Sequence, residues 1–119
     1  MKNSPMAVEA SWAQALRLFD ADLRRRGSAE RTRTAYGIDL GQFARWSVAS
    51  GIAPTEVTYP VLRRYAVRLG QERATPATVA RKLAAIRSFF RTQVEHGHMG
   101  ANPADLLPAP KQPERLPTI

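Results

Sequence analysis

Apolar side chains recur with helical spacing in four stretches, separated by glycines, prolines and capping residues. In the first, from about Val8 to Arg26, Trp12, Leu16, Phe19 and Leu23 fall at i, i+4, i+7 and i+11, one stripe of a helix. Gly27 closes it behind Arg24, Arg25 and Arg26, whose charge suits the negative end of the helix dipole. The second opens at Ser28, a good capping residue, and runs to about Ser50. Its stripe is Tyr36, Leu40, Phe43 and Ala44, with Val48 beyond. Gly37 and Gly41 lie inside this stretch and read as places where a neighbouring helix packs closely. Gly51 ends it, and Ile52-Ala53-Pro54 is a connector.

The third stretch begins at Thr58 and reaches about Gln71, with Pro60 tolerated in the first turn. Leu62, Tyr65, Ala66 and Leu69 face inward, and Arg63, Arg64 and Arg68 lie off that face. The fourth has the clearest start: Thr75 is the cap, Pro76 takes the first helical position, and the helix runs to about His96. Val79, Leu83, Ile86, Phe90 and Val94 form its core stripe, Phe89 sits at the margin, and Gly97 terminates it. Beyond it, Asn102-Pro103 starts at most one short turn through Leu107. Prolines at 108, 110, 113 and 117, with Lys111 and Arg115 between them, then read as an extended linker. There is no internal repeat and no strand-like alternation. The pattern predicts an all-α fold of four helices, with one domain over 1–107 and a linker over 108–119.

Composition narrows the function. The 119 residues suffice for one domain, and 44 % apolar content is that of a globular chain. Cysteine is absent, which excludes disulfides and cysteine-bearing zinc fingers and fits a reducing cytosol. No apolar run approaches the length of a membrane span, and the start of the chain does not read as a signal peptide. Lysine and arginine total 18 against 10 acids, a formal net charge of +8, and so lopsided a balance attracts polyanions.

That charge has a place on the fourth helix. Opposite its apolar stripe lie Ala77, Arg81, Ala84, Arg87, Ser88 and Arg91, flanked by Thr78 and Lys82, and no acid occurs between Thr75 and Val94. Small residues let a helix backbone sink into a groove while arginines on either side reach base edges or phosphates. An ordinary solvated face mixes charge signs. A second basic cluster, Arg24, Arg25, Arg26, Arg31 and Arg33 with Thr32 and Thr34, sits where the amides opening the second helix also face an anion. Catalytic signals are poor. Glu95-His96-Gly97-His98 straddles a helix end and has no evident third metal ligand. Phosphate-binding glycine loops, H-E-x-x-H and G-x-S-x-G are all missing.

Three motifs carry a resemblance. The run from Ser28 to Leu40, followed by Phe43 and Trp46, looks like the T-x-x-x-Y-x-x-D-L-x-x-F-x-x-W signature of tyrosine recombinases. Thr78 to Phe90 resembles their T-x-x-R-x-L-S-A-L-R-S-F-Y helix. Asn102-Pro103-Ala104, Pro110-Lys111 and Leu116-Pro117 resemble the linker that follows it. The likeness runs from about Val8 to Pro117 and is greatest to the Xer branch, the wording from Ala85 to Phe90 leaning to XerC over XerD. It implies a SAM-like, orthogonal core-binding bundle forming half of a C-shaped clamp on double-stranded DNA, with the second and fourth helices against the major groove. The DNA contacts it implies are Thr78, Arg81, Lys82, Arg87, Ser88 and Arg91, with Arg31, Thr32 and Arg33 at the second helix. Arg87 has a second reading, bracing the helix packing.

Two residues depart from the pattern. Ala84 stands where serine is common, and Gly37 where a polar or basic residue is usual, so each implies a lost phosphate contact. The family's catalytic domain supplies a nucleophilic tyrosine, two arginines, a lysine and a His-x-x-Arg motif. Neither His96 nor His98 has an arginine three residues later, so strand cleavage by this polypeptide alone is not expected. The resemblance further implies a recombination site and recombinase protomers as partners, no cofactor, metal, membrane or small-molecule substrate, and a place in the cytoplasm on the nucleoid. Two other readings of the basic bundle are a free-standing helix-turn-helix regulator and a SAM-like protein-interaction module.

Overall fold

The computed structural model describes residues 4–107, and the Pro-rich segment expected to be a linker lies outside them. Four helices form an all-α bundle: α1 (Pro5–Arg25), α2 (Glu30–Ala49), α3 (Tyr59–Gln71) and α4 (Pro76–Glu95), with a 3₁₀ turn at Pro54–Glu56. Among the described residues there is no strand. α1 packs on α2 and α4, α4 packs on α2 and α3, and the 3₁₀ turn lies against α1.

Every helix ends in the same way, and the ends explain the boundaries. At the end of α1 the Gly27 amide donates to the Arg24 carbonyl and the Ser28 amide to that of Leu23, the paired bonds of a Schellman motif. Gly27 (φ 76°), Gly51 (φ 72°) and Gly97 (φ 76°) supply the left-handed residue for α1, α2 and α4. Arg73 (φ 61°) does so for α3, its amide bonding Gly70 and that of Ala74 bonding Leu69. Because Ser28 is spent closing α1, it does not cap α2. Ala29 takes that position without a side-chain bond, and the helix starts at Glu30. α1 in turn begins before Val8, at Pro5, because the Ser4 hydroxyl accepts from the Ala7 amide. Thr58 and Thr75 cap α3 and α4 as the sequence predicts.

The core is aromatic. Phe43 of α2, fully buried, meets Trp12 of α1 at 5.4 Å, Tyr65 of α3 at 4.9 Å and Phe90 of α4 at 6.4 Å between ring centroids. Phe89 is not marginal but fully buried, stacked on Trp12 at 5.6 Å and edge-on to Phe19 at 5.8 Å. The Trp12 indole donates to the Ile52 carbonyl at 2.8 Å, tying the loop after α2 to α1. Ala104 and Leu107 join this core, so the segment after α4 is packed as turns onto the bundle. Asn102 holds it there, donating to the Arg87 carbonyl at 3.0 Å and accepting from the Ala104 amide at 2.9 Å.

The two glycines within α2 do not serve close helix packing. A Cβ at Gly37 would meet nothing within 4 Å, and at Gly41 only the Arg45 guanidinium at 3.6 Å.

Candidate nucleic-acid interface

Helical geometry sorts α4 into two sides. Ala77, Arg81, Ala84 and Arg91 are exposed and Ser88 is half-buried along one stripe, while Leu83, Ile86, Phe89 and Phe90 are buried beneath. The exposed stripe is low in the middle, where alanine and serine sit, and carries a cation at Arg81 and another at Arg91. Arg91 is in no ion pair among the described residues.

The stripe carries no acid on its own helix before Glu95 at the helix end, but it does in space. Asp39 of α2, 2 % exposed, reaches across to α4. Arg81 donates to it twice, Nε to Oδ2 at 3.0 Å and Nη2 to Oδ1 at 3.1 Å. Lys82 Nζ donates to Oδ1 at 3.1 Å and to the Gln42 side-chain oxygen. Burial alone would push the Asp39 carboxyl up, but hydrogen bonds from Arg81 and Lys82, with their charges, hold it below the ordinary range. The Arg81 guanidinium is pushed up in return by its bond to Asp39.

The other residues expected in the site take separate positions. Thr78 shares a hydrogen bond with the Thr75 hydroxyl at 3.0 Å, inside the helix cap. Arg87 is half-buried and donates to the Leu107 carbonyl at 3.4 Å, on the segment that Asn102 ties down. At the start of α2, Arg31 and Thr32 are exposed, whereas Arg33 Nε donates to Asp20 at 3.1 Å. The arginines ending α1 are tied up: Arg24 with Asp20 at 3.3 Å, Arg25 with Asp22, and Arg26 with Glu95 at 2.9 Å. Among the residues expected in the site the exposed cations are therefore Arg31, Arg81 and Arg91, while Lys82 is 8 % exposed and turned inward.

A second buried carboxylate braces the far end of the bundle. Asp22, 1 % exposed, accepts from His96 Nε2 at 2.7 Å and from Arg25. Here too burial would raise the carboxyl, and the bonds and charges of His96 and Arg25 outweigh it, so it titrates below the ordinary range. His96 is thus engaged at the α1–α4 junction, and among the described residues no group of metal-binding side chains gathers. Tyr65 is pushed up to about 12, mainly by burial and then by the negative charges of Glu72 and Asp39.

Both lowered carboxyls act in the same direction on stability. Each binds its proton less tightly folded than unfolded, where the value is near 3.8, so its contribution is present above that pH and lost as pH falls through the lower folded value. Thermal unfolding followed by circular dichroism will therefore show a midpoint that falls steeply in acid below about pH 4. Asp22→Asn will flatten that fall. An unchanged acid profile in the variant would remove Asp22 from the account.

Periodicity hides these acids, yet a signal was present. Asp39 lies three residues after Tyr36 and four before Phe43, and Asp22 three after Phe19, so each occupies an inward position on an apolar stripe.

The comparisons with known proteins agree on one family. The family model described as "Phage integrase, N-terminal SAM-like domain" matches residues 16–97, more than half of the chain. The chain is 41 % identical over 95 residues to the tyrosine recombinase XerC of Pelobacter propionicus, covering 77 % of this chain and 31 % of that protein. It is 36 % identical over 95 residues to XerC of Myxococcus xanthus, covering 79 % and 31 %. With the tyrosine recombinase XerD of Chlorobaculum tepidum it shares 29 % identity over 112 residues, 93 % of this chain and 37 % of that one. The chain thus spans about a third of the length of these curated relatives. No solved structure matches it significantly. Among the described residues, no helix is long and apolar enough to cross a membrane.

Proposed function

The chain belongs to the phage integrase N-terminal SAM-like domain family, and from that premise we propose that it binds duplex DNA as the clamp domain of a site-specific tyrosine recombinase. One observation carries the reading: the exposed stripe of α4 pairs small residues at Ala77, Ala84 and Ser88 with cations at Arg81 and Arg91, with no acid on the helix from its cap to Val94. A helix with that profile fits the B-form major groove, its backbone close to the base edges and its arginines at the flanks. The start of α2, with Arg31 and Thr32 exposed, supplies phosphate contacts beside it. Ser88 on the stripe, with Thr78 and Arg87 on its two opposite flanks, adds polar contacts, while Arg87 also anchors the segment ending at Leu107. Arg33 shares its charge with Asp20 through Nε, which leaves its remaining N–H donors for phosphate.

The partners that go with this reading are a double-stranded recombination site and further recombinase protomers. The setting is the nucleoid, and the process is DNA integration or chromosome dimer resolution. Fluorescence anisotropy on a duplex carrying an Xer-type half-site, against a scrambled duplex of equal length, tests it. Tighter binding to the half-site is the expected result. Equal binding to both leaves DNA affinity without the recombinase assignment, and no binding to either overturns the proposal in favour of a protein-interaction module.

A further inference from the structure

Resting on the DNA-binding reading above, we infer that Asp39 is a positioning residue for base recognition: it grips one edge of the Arg81 guanidinium and aims the other at a guanine in the major groove.

A buried carboxylate beneath a surface meant for a polyanion calls for a reason. It repels phosphate, so it does not serve affinity. Buried ion pairs also roughly break even against apolar packing, so stability alone does not account for it. Orientation does. Asp39 takes Arg81 side-on, through Nε at 3.0 Å and Nη2 at 3.1 Å. The guanidinium is planar and has five N–H donors in a fixed fork. Side-on pairing uses two of them and leaves both hydrogens of Nη1 and the second of Nη2, which form the end-on fork. Because the group is rigid, fixing one edge fixes the plane of the other.

The surroundings keep that fork open. The Arg81 side chain is 56 % exposed, and its neighbours along the stripe are Ala77, Ala84 and Ser88, none large enough to cover it. The geometry matches the O6 and N7 acceptors of guanine, which demand a defined plane. A phosphate accepts from many directions and gains little from a fixed one. Lys82 completes the device from below. Its ammonium, on Asp39 and Gln42, is the counter-cation that lets the carboxylate stay buried, and its role is internal rather than on DNA.

The test selects duplexes from a pool with a randomised core using the 119-residue chain, then replaces each guanine of the selected duplex by 7-deazaguanine, which lacks the N7 acceptor. The wild-type chain will lose about fivefold or more in affinity at one guanine. Arg81→Lys, which keeps the charge without the fork, will erase that loss, and so will Asp39→Asn, which removes a negative charge and binds mixed-sequence duplex at least as tightly as wild type. Circular dichroism melting checks that the variants fold. Should Asp39→Asn not fold, the pair Asp39→Asn with Lys82→Met removes the carboxylate together with its buried counter-cation and takes its place. A 7-deazaguanine penalty that survives the loss of Asp39 overturns the inference, as does a wild-type chain that binds duplexes with no guanine sensitive to N7. A wild-type chain that binds no duplex overturns the DNA-binding reading itself.

Discussion

Phe43→Ala will cost about 3–5 kcal/mol of folding stability, a large share of the ~5–15 kcal/mol that holds a domain of this size together. The ring is fully buried and touches aromatic partners on each of the other three helices, Trp12, Tyr65 and Phe90, as well as Trp46 one turn away on its own. Removing it opens a void bounded by rigid rings. Rings in fixed rotamers close such a void poorly, so the cavity adds to the lost transfer energy. Urea unfolding followed by circular dichroism measures it. Ile38→Ala, also on α2 but 58 % exposed, is the control and will shift stability by no more than about 0.5 kcal/mol. A Phe43→Ala cost below about 1 kcal/mol would mean that the four helices do not meet at this ring.

The second large effect is of salt on DNA binding. The total of 18 lysines and arginines overstates what the surface offers, because Arg24, Arg25, Arg26 and Arg33 are paired with acids and Asp39 offsets one of the cations at Arg81 and Lys82. On the proposed face the exposed cations are Arg31, Arg81 and Arg91, with hydroxyls and helix amides to assist. For these three cations the logarithmic slope is about −2.7, so affinity will fall by ~40-fold between about 50 and 200 mM salt. Arg91→Ala will flatten the slope by about one. Arg17→Ala will leave it alone, since Arg17 lies on α1 in a cleft with Gln93, half a helix turn round from Ala84. A slope shallower than about −2 would show that the α4 stripe does not lie on the phosphate backbone.

What the sequence made legible follows from which forces act locally. α4 could be placed almost to the residue because Thr75, Pro76 and Gly97 each act on backbone atoms within one turn. The end of α3 at Gln71 was also placed, but not the device that closes it, because Arg73 takes a left-handed conformation that residue type does not announce. Ser28 misled because two helix ends compete for it, and the Schellman bond closing α1 wins over the cap of α2. In the interface, the exposed stripe of α4 followed from periodicity, whereas the inward turn of Lys82 depends on Asp39, 43 residues away in sequence. Pairings across helices of this kind leave no periodic trace. The core positions of Ala104 and Leu107 were hidden for a similar reason: a segment without helical pattern is packed by Asn102 and Arg87 rather than by an apolar stripe.

The two indoles of the chain differ in a way that makes them separate optical probes. Trp12 is 1 % exposed, hydrogen-bonded to Ile52 and enclosed by Phe43 and Phe89, so its fluorescence reports only whether the bundle is closed. Trp46 is half-buried under the Arg64 guanidinium, in a cleft with Gln42, the residue that also holds Lys82. Its emission senses the rearrangement of charges beside the α2–α4 face. With one tryptophan replaced by phenylalanine at a time, unfolding and ligand arrival become two independent signals from a protein that carries no added dye.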